Sequence, residues 1–183
     1  MTEPTSPSPA PKKKAAPRKA AKPAFDPSIV VFACNWCSYA GADTAGVSRI
    51  QHQPHFRMIR VMCSGRIQPA FVLRAFEKGA DGVLVSGCHF GDCHYIFGNE
   101  RAVEQFEKTM KVVKLLGIEE GRLRLEWISA AEGARFAEVI DEFTDQVRAI
   151  GPSPFATSDA IDEIEVPETD TETGTETGKE KEA

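Results

Sequence analysis

The stretch Ile29-Val30-Val31-Phe32-Ala33 runs straight into Cys34-Asn35-Trp36-Cys37. An unbroken apolar run before a turn-forming cluster reads as a strand buried on both faces, the kind found in parallel sheets. Two later segments share the design. Met58-Ile59-Arg60-Val61-Met62 ends at Cys63-Ser64-Gly65, and Val83-Leu84-Val85 runs into Ser86-Gly87-Cys88. Farther on, Leu123, Leu125 and Trp127 alternate with Arg122, Arg124 and Glu126, the pattern of a half-exposed edge strand.

Helices fall between these strands. Tyr39 to Ile50 reads as a weak helix diluted by Gly41 and Gly46. Pro69 suits the first turn of a helix through Phe76 and Lys78, stopped by Gly79. Asn99 is placed to cap a helix with Val103, Phe106, Met110, Val113 and Leu116 inward, and Gly117 stands where a terminating glycine belongs. Ser129 with Glu132 has the spacing of a capping box, opening a last helix with Phe136, Val139, Ile140, Phe143, Val147 and Ile150 inward. Such alternation predicts an α/β fold: a small open parallel sheet of about four strands with helices on both faces, in a flavodoxin-like or Rossmann-like order.

The net charge of −5 over 183 residues conceals three unlike parts. Residues 1–26 carry six Lys/Arg against two acids, in a Pro/Ala/Lys-rich run. Residues 152–183 carry ten acids against two lysines and repeat Thr-Glu-Thr-Gly. Neither end has enough apolar surface to offset its ordering entropy, so both read as disordered tails. Residues 27–151, with 14 basic and 15 acidic side chains, form the folded domain, and all five cysteines and four histidines lie there.

These divisions exclude several functions. One domain of this size is not a large multidomain enzyme. No stretch approaches the roughly 20 apolar residues of a membrane span, and no secretory apolar region opens the chain. A cytoplasmic protein with no membrane partner is expected. The domain lacks the basic surface and aromatics of a nucleic-acid reader, so no nucleic-acid partner is expected either. Without a Gly-x-Gly-x-x-Gly or Walker loop, it is expected to bind no nicotinamide or nucleoside phosphate itself.

The cysteines carry the chemistry. Cys34, Cys63 and Cys88 each follow one of three strands, and parallel strands end on one edge of a sheet. Neighbouring strands lie about 4.8 Å apart, so these distant thiols converge. Cys37 lies one turn past Cys34, and Cys93 five positions past Cys88. A core cysteine belongs within a strand or on a helix face. These instead sit in Gly/Ser-flanked turns, which points to a metal or redox site. A zinc module is one reading, although only Cys34-Asn35-Trp36-Cys37 has knuckle spacing. A thioredoxin-like dithiol at Cys34 and Cys37 is another, but it leaves Cys63, Cys88 and Cys93 unexplained. An iron–sulfur cluster needs four thiolates and uses most of the set, and spacing alone leaves its type open.

At these motifs the sequence resembles a known family. Val30 to Tyr39 (VVFACNWCSY), Met62 to Arg66 (MCSGR) and Gly87 to Tyr95 (GCHFGDCHY) are similar, in order, to the delta subunit of methyl-viologen-reducing hydrogenase. The resemblance spans about residues 28–150 and leaves the tails outside. It implies an electron-transfer subunit carrying one 2Fe–2S cluster. Such a subunit links a hydrogenase or formate dehydrogenase to the flavin subunit of heterodisulfide reductase, in an assembly that bifurcates electrons. Family cysteines match Cys34, Cys37, Cys63, Cys88 and Cys93, four of which suffice as metal ligands. Cys37, on a helix turn rather than a strand end, is the first to set aside.

Other residues gather at the same motifs. His89 and His94 flank Cys93 in a supporting role around the cluster, and as ligands they would make a Rieske-like centre. Arg66 can offset cluster charge or meet an acidic partner. Trp36 and Tyr39 either cover the cluster or pack on the sheet, and Phe90, Tyr95 and Phe97 suit an apolar docking rim. His52 and His55 read as surface residues.

Overall fold

In a computed structural model, residues 25–155 are described. The expectations for the two charged tails fall largely outside them. The elements are β1 (Ile29–Cys34), α1 (Ser38–Val47), β2 (Phe56–Val61), α2 (Pro69–Glu77), β3 (Gly82–Gly87), α3 (Gly98–Leu115), β4 (Leu123–Trp127) and α4 (Gly133–Ile150). The four strands form one parallel sheet in the order β2-β1-β3-β4, the expected flavodoxin-like order.

Each central strand serves two cores. From β1, Val31 and Ala33 face α1 and α4, packing with Phe136, Val139, Ile140, Phe143 and Val147. Phe32 faces the other way, with Val83, Val85 and Leu123, into a core closed by Val72 and Phe76 of α2 and Val113 of α3. Burying each such side chain contributes roughly 1.5–3 kcal/mol. The continuous apolar runs are thus explained by helices on both faces. β4 is an edge strand and mostly half-buried, as its alternation implies.

Several local expectations are corrected. Asn99 does not cap α3: Phe97 takes that place, and Asn99 lies buried inside the first turn. α4 starts after Glu132, and no side chain caps it. Only half of the capping box forms, with the Glu132 carboxylate accepting from the Ser129 N–H at 2.7 Å. Leu116, expected inward, is 51% exposed just past the end of α3. The inward face of that helix comes from Phe106, Met110 and Val113, as expected, joined by Ala102 and Thr109. His52 is half-buried and packs against Phe56 and Phe136, so it is no plain surface residue. His55 pairs with Asp26 at 3.6 Å.

Arg122 is the largest correction. Alternation made it an outward-facing residue of the last strand, yet it lies in a 3-10 turn before β4 and is 1% exposed. Its guanidinium donates to Asp81 O at 3.1 Å, Gly151 O at 2.9 Å, Pro152 O at 3.0 Å and the Glu119 carboxylate at 2.6 Å. Asp81, also buried, accepts from the Ser28 and Ser153 N–H groups at 2.8 and 2.7 Å. The pair ties together the entry to β1, the entry to β3 and the exit from α4. Arg122→Met would leave three carbonyls, that of buried Asp81 among them, without their donor. It is expected to lower unfolding free energy by about 3 kcal/mol, read by chemical denaturation.

Candidate metal centre

The three parallel strands deliver their cysteines to one edge, as predicted. Ala33 pairs with Ser86 and Cys34 with Val61, so Cys34, Cys63 and Cys88 leave the sheet at nearly one level. Cys37 stands at the N-terminus of α1. The Sγ atoms of Cys34, Cys37 and Cys88 lie within 4.8 Å of one another, all buried. Cys93 packs against this trio. Cys63 neighbours Cys93, and both sulfurs press on Gly98, where an added Cβ would stand 2.2 Å from Cys63 Sγ and 3.0 Å from Cys93 Sγ. All five sequence-selected cysteines are therefore brought together. Cys37, ranked last for its helix-turn position, sits inside the tightest group. Cys63 and Cys93 are the half-exposed members.

Ser38 and Gly98, neither of which the sequence singles out, set this geometry together with Asn99. Ser38 is buried, accepts from the Cys34 N–H at 2.9 Å and donates to Ser86 O at 3.0 Å, fastening the β1 loop to the end of β3. Asn99 Nδ2 donates to His89 O at 2.8 Å and to Cys88 O at 3.4 Å, which fixes the start of the next loop. Gly98 lets the backbone of α3 abut two sulfurs. Ser38 and Gly98 directly adjoin elements already singled out, and that adjacency was their only signal.

The histidines lie outside the thiol group. His89 Nε2 is 2.6 Å from the Glu132 carboxylate, and the His94 ring stacks on Trp36 with centroids 4.0 Å apart. Among the described residues, only Cys34, Cys37 and Cys88 form a tight group of metal-capable side chains, with no histidine or carboxylate among them. Arg66 is exposed and forms no ion pair among the described residues. Phe90 packs edge-on against Trp127 at 5.2 Å. Tyr95 and Phe97 are exposed on the Cys63 side.

The buried thiols share charge unequally. Hydrogen bonds from the Cys37 and Cys88 thiols pull Cys34 down to about 2, while the same contact with Cys34 pushes Cys88 up to about 12 and Cys37 well above the thiol range. Burial raises Cys63. Cys34 Sγ and Cys88 Sγ are 3.8 Å apart. Two thiolates on one tetrahedral metal, with bonds of about 2.3 Å, stand at about that separation. A set made wholly of soft sulfur donors suits zinc or an iron–sulfur cluster rather than a hard cation.

With this geometry in hand, comparison with known proteins is specific. The family model for the methyl-viologen-reducing hydrogenase delta subunit matches residues 29–151, and the chain belongs to that family. An iron-sulfur subunit of an F420-non-reducing hydrogenase from Methanococcus voltae is 52% identical over 128 residues, which is 70% of this chain and 89% of the relative. Its counterpart from Archaeoglobus profundus is 50% identical over 131 residues, 72% of this chain and 96% of the relative. One subunit of the ferredoxin/F420H2-dependent CoB-CoM heterodisulfide reductase of Methanosarcina acetivorans is 52% identical over 126 residues. That stretch is 69% of this chain and only 16% of that much longer protein.

Two outcomes test the site. In metal-free protein under reducing conditions, iodoacetamide is expected to label Cys63 and Cys93 before Cys34, Cys37 and Cys88, as read by peptide mass spectrometry. Equal labelling of all five would contradict the burial order. The Glu132 carboxyl is held below its usual value by the Ser129 N–H and then by His89. A depressed carboxyl stabilises the fold above its unfolded pKa of 4.5 and loses that effect as pH falls through the lower folded value. The stability gap between wild type and Glu132→Gln should shrink as the pH falls below about 5. A gap that widens in acid would contradict the assignment.

Proposed function

We propose that residues 27–151 form an iron–sulfur electron-transfer domain in which four of Cys34, Cys37, Cys63, Cys88 and Cys93 hold one 2Fe–2S cluster. The observation that carries this reading is the convergence of all five thiols at one sheet edge, three of them from consecutive strand ends. Relatives covered almost end to end are named iron–sulfur subunits of hydrogenases, which supports iron over zinc. When bound, such a cluster would accept and release single electrons. The chain's own part is to supply thiolates, exclude water from Cys34, Cys37 and Cys88, and fix their loops through Ser38, Asn99 and Gly98. His89, His94 and Arg66 shape the surroundings rather than ligate.

The partners proposed are those that the family resemblance implies. We place the chain, in the cytoplasm, between a hydrogenase or formate dehydrogenase and the flavin subunit of a heterodisulfide-reductase-like complex. A closely similar segment forms part of a much longer heterodisulfide reductase polypeptide in two Methanosarcina species, which supports contact with a subunit of that kind. Among the described residues no helix is long and apolar enough to cross a membrane.

Anaerobic purification with metal analysis is the test. About two iron and two acid-labile sulfides per chain are expected, with an EPR signal on reduction. Stoichiometric zinc without iron would replace this reading by a zinc-stabilised interaction module. Metal-free protein after anaerobic reconstitution, with a titrating Cys34/Cys37 dithiol, would replace it by thiol–disulfide chemistry. Single Cys→Ser variants are expected to abolish the signal at four positions and spare it at one. Gly98→Ala, which drives a methyl group into two sulfurs, is expected to lower bound iron severalfold, whereas Gly46→Ala, with open space around it, is expected to leave it unchanged.

A further inference from the structure

Beside Cys63, where β2 ends, a groove of about 750 Å³ opens to solvent. Met62, Cys63, Arg66, Tyr95, Phe97 and Arg101 line it. Met62, Tyr95 and Phe97 are each close to half exposed. The volume falls in the range of ligand-binding clefts, and an apolar floor with a few charged groups is how such clefts select an occupant.

The arginines around it are set apart. Arg74, Arg122, Arg124, Arg135 and Arg148 each pair with a carboxylate. Among the described residues Arg66 and Arg101 of the groove, and Arg60 on adjacent β2, form no ion pair; Arg101 lies over the Phe97 ring at 4.8 Å and Arg60 over Tyr39 at 5.1 Å. Solitary surface arginines are ordinary, and charges on an edge strand discourage sheet-to-sheet pairing. Arg49 and Arg57, away from the groove, are likewise without a carboxylate among the described residues, but Arg66 and Arg101 are the two that line an apolar groove, where an acidic occupant would supply their counter-charge.

The chain carries a segment of that chemistry. Residues 156–183 hold ten acids and two lysines. Within them Ile161-Asp162-Glu163-Ile164-Glu165-Val166 interleaves three apolar with three acidic residues. The family match stops at residue 151, so this segment lies outside what the relatives share with the chain. Reach is sufficient. The described chain ends near the amino ends of the strands and the groove lies at their carboxyl ends, so the segment must cross one sheet length, about 20 Å for six residues. From Phe155 to Ile164 an extended chain spans about 30 Å.

We propose that the groove beside Cys63 is a docking site for the chain's own C-terminal segment, centred on Ile161–Val166. The apolar residues seat against Met62, Tyr95 and Phe97, and the acids meet Arg66 and Arg101. Docked there, the segment covers Cys63, one of the two half-exposed thiols. An acidic segment of another protein would compete for the same groove.

The test uses the full chain with Ile164 replaced by the photocrosslinking residue p-benzoylphenylalanine, with products mapped by mass spectrometry. Crosslinks within one chain to Met62, Tyr95 or Phe97 are expected. Their yield is expected to fall about fivefold in Arg66→Glu/Arg101→Glu and in 0.5 M salt. Should that variant unfold by circular dichroism, Asp162→Lys/Glu163→Lys/Glu165→Lys leaves the domain intact and should give the same loss. Crosslinks mainly to the basic residues 12–22, crosslinks between chains, no preference for the groove, or a yield indifferent to charge reversal would each overturn the proposal. The readout needs no iron, so it stands or falls separately from the cluster assignment.

Discussion

Parallel pairing of β1 with both β2 and β3 is the constraint on which the molecule depends. A parallel strand cannot be followed directly by its neighbour, so each connection must return along a helix to the far edge. The consequence is that every strand ends on one side. Cys34 and Cys88, separated by 54 positions, meet at 3.8 Å because the sheet order places β1 between β2 and β3. An antiparallel arrangement of the same segments would scatter the three strand-end cysteines over two edges.

The price of that arrangement is close approach, which small residues make possible. A Cβ at Gly87 would stand 2.6 Å from Ser64 Oγ and 2.8 Å from Trp127. One at Gly41 would meet Ser129 O at 2.7 Å, and one at Gly133 the Ala45 N at the same distance. Gly41, Ala45 and Gly133 therefore draw α1 against α4, and α1 holds Cys37 at its N-terminus. The weak apolar pattern of α1 has this cause. Its packing rests on backbone proximity rather than on an apolar stripe, so it contributes position more than buried area.

The sheet, its order and the convergence of thiols were legible because they follow from period and spacing. Ile29–Ala33 and Val83–Val85 are apolar without alternation, and only burial on two faces demands that. Side chains whose partners are distant in sequence were not legible. Arg122 fits an alternating strand on paper, yet it is buried because Asp81 and the chain after α4 lie 41 and about 30 positions away. Asn99 has the residue type of a cap, but it stands inside the first turn of α3, where its Nδ2 donates to the carbonyls of Cys88 and His89. The capping box is half made because the Glu132 N–H goes to the Ser129 carbonyl at 3.2 Å rather than to its hydroxyl, while the Glu132 oxygen that accepts from the Ser129 N–H also meets His89.

Burial of the thiols also links metal binding to local order. Cys34, Cys37 and Cys88 are at most 6% exposed, and without metal they settle for one low and two raised pKa values. Removing two further protons there places like charges side by side in a poorly solvated pocket, which only a cation can offset. The loop from Cys88 to Phe97 has little of its own to hold it. It is mostly exposed, and Ile96 takes φ 68°, a conformation that costs a β-branched residue roughly 1–2 kcal/mol. Asn99, the His89–Glu132 contact and the Trp36–His94 stack are its main anchors. Because Cys88 and Cys93 bracket this loop, any metal they share would add the anchors its backbone lacks, and occupancy of the centre and order of the surrounding surface become a single equilibrium.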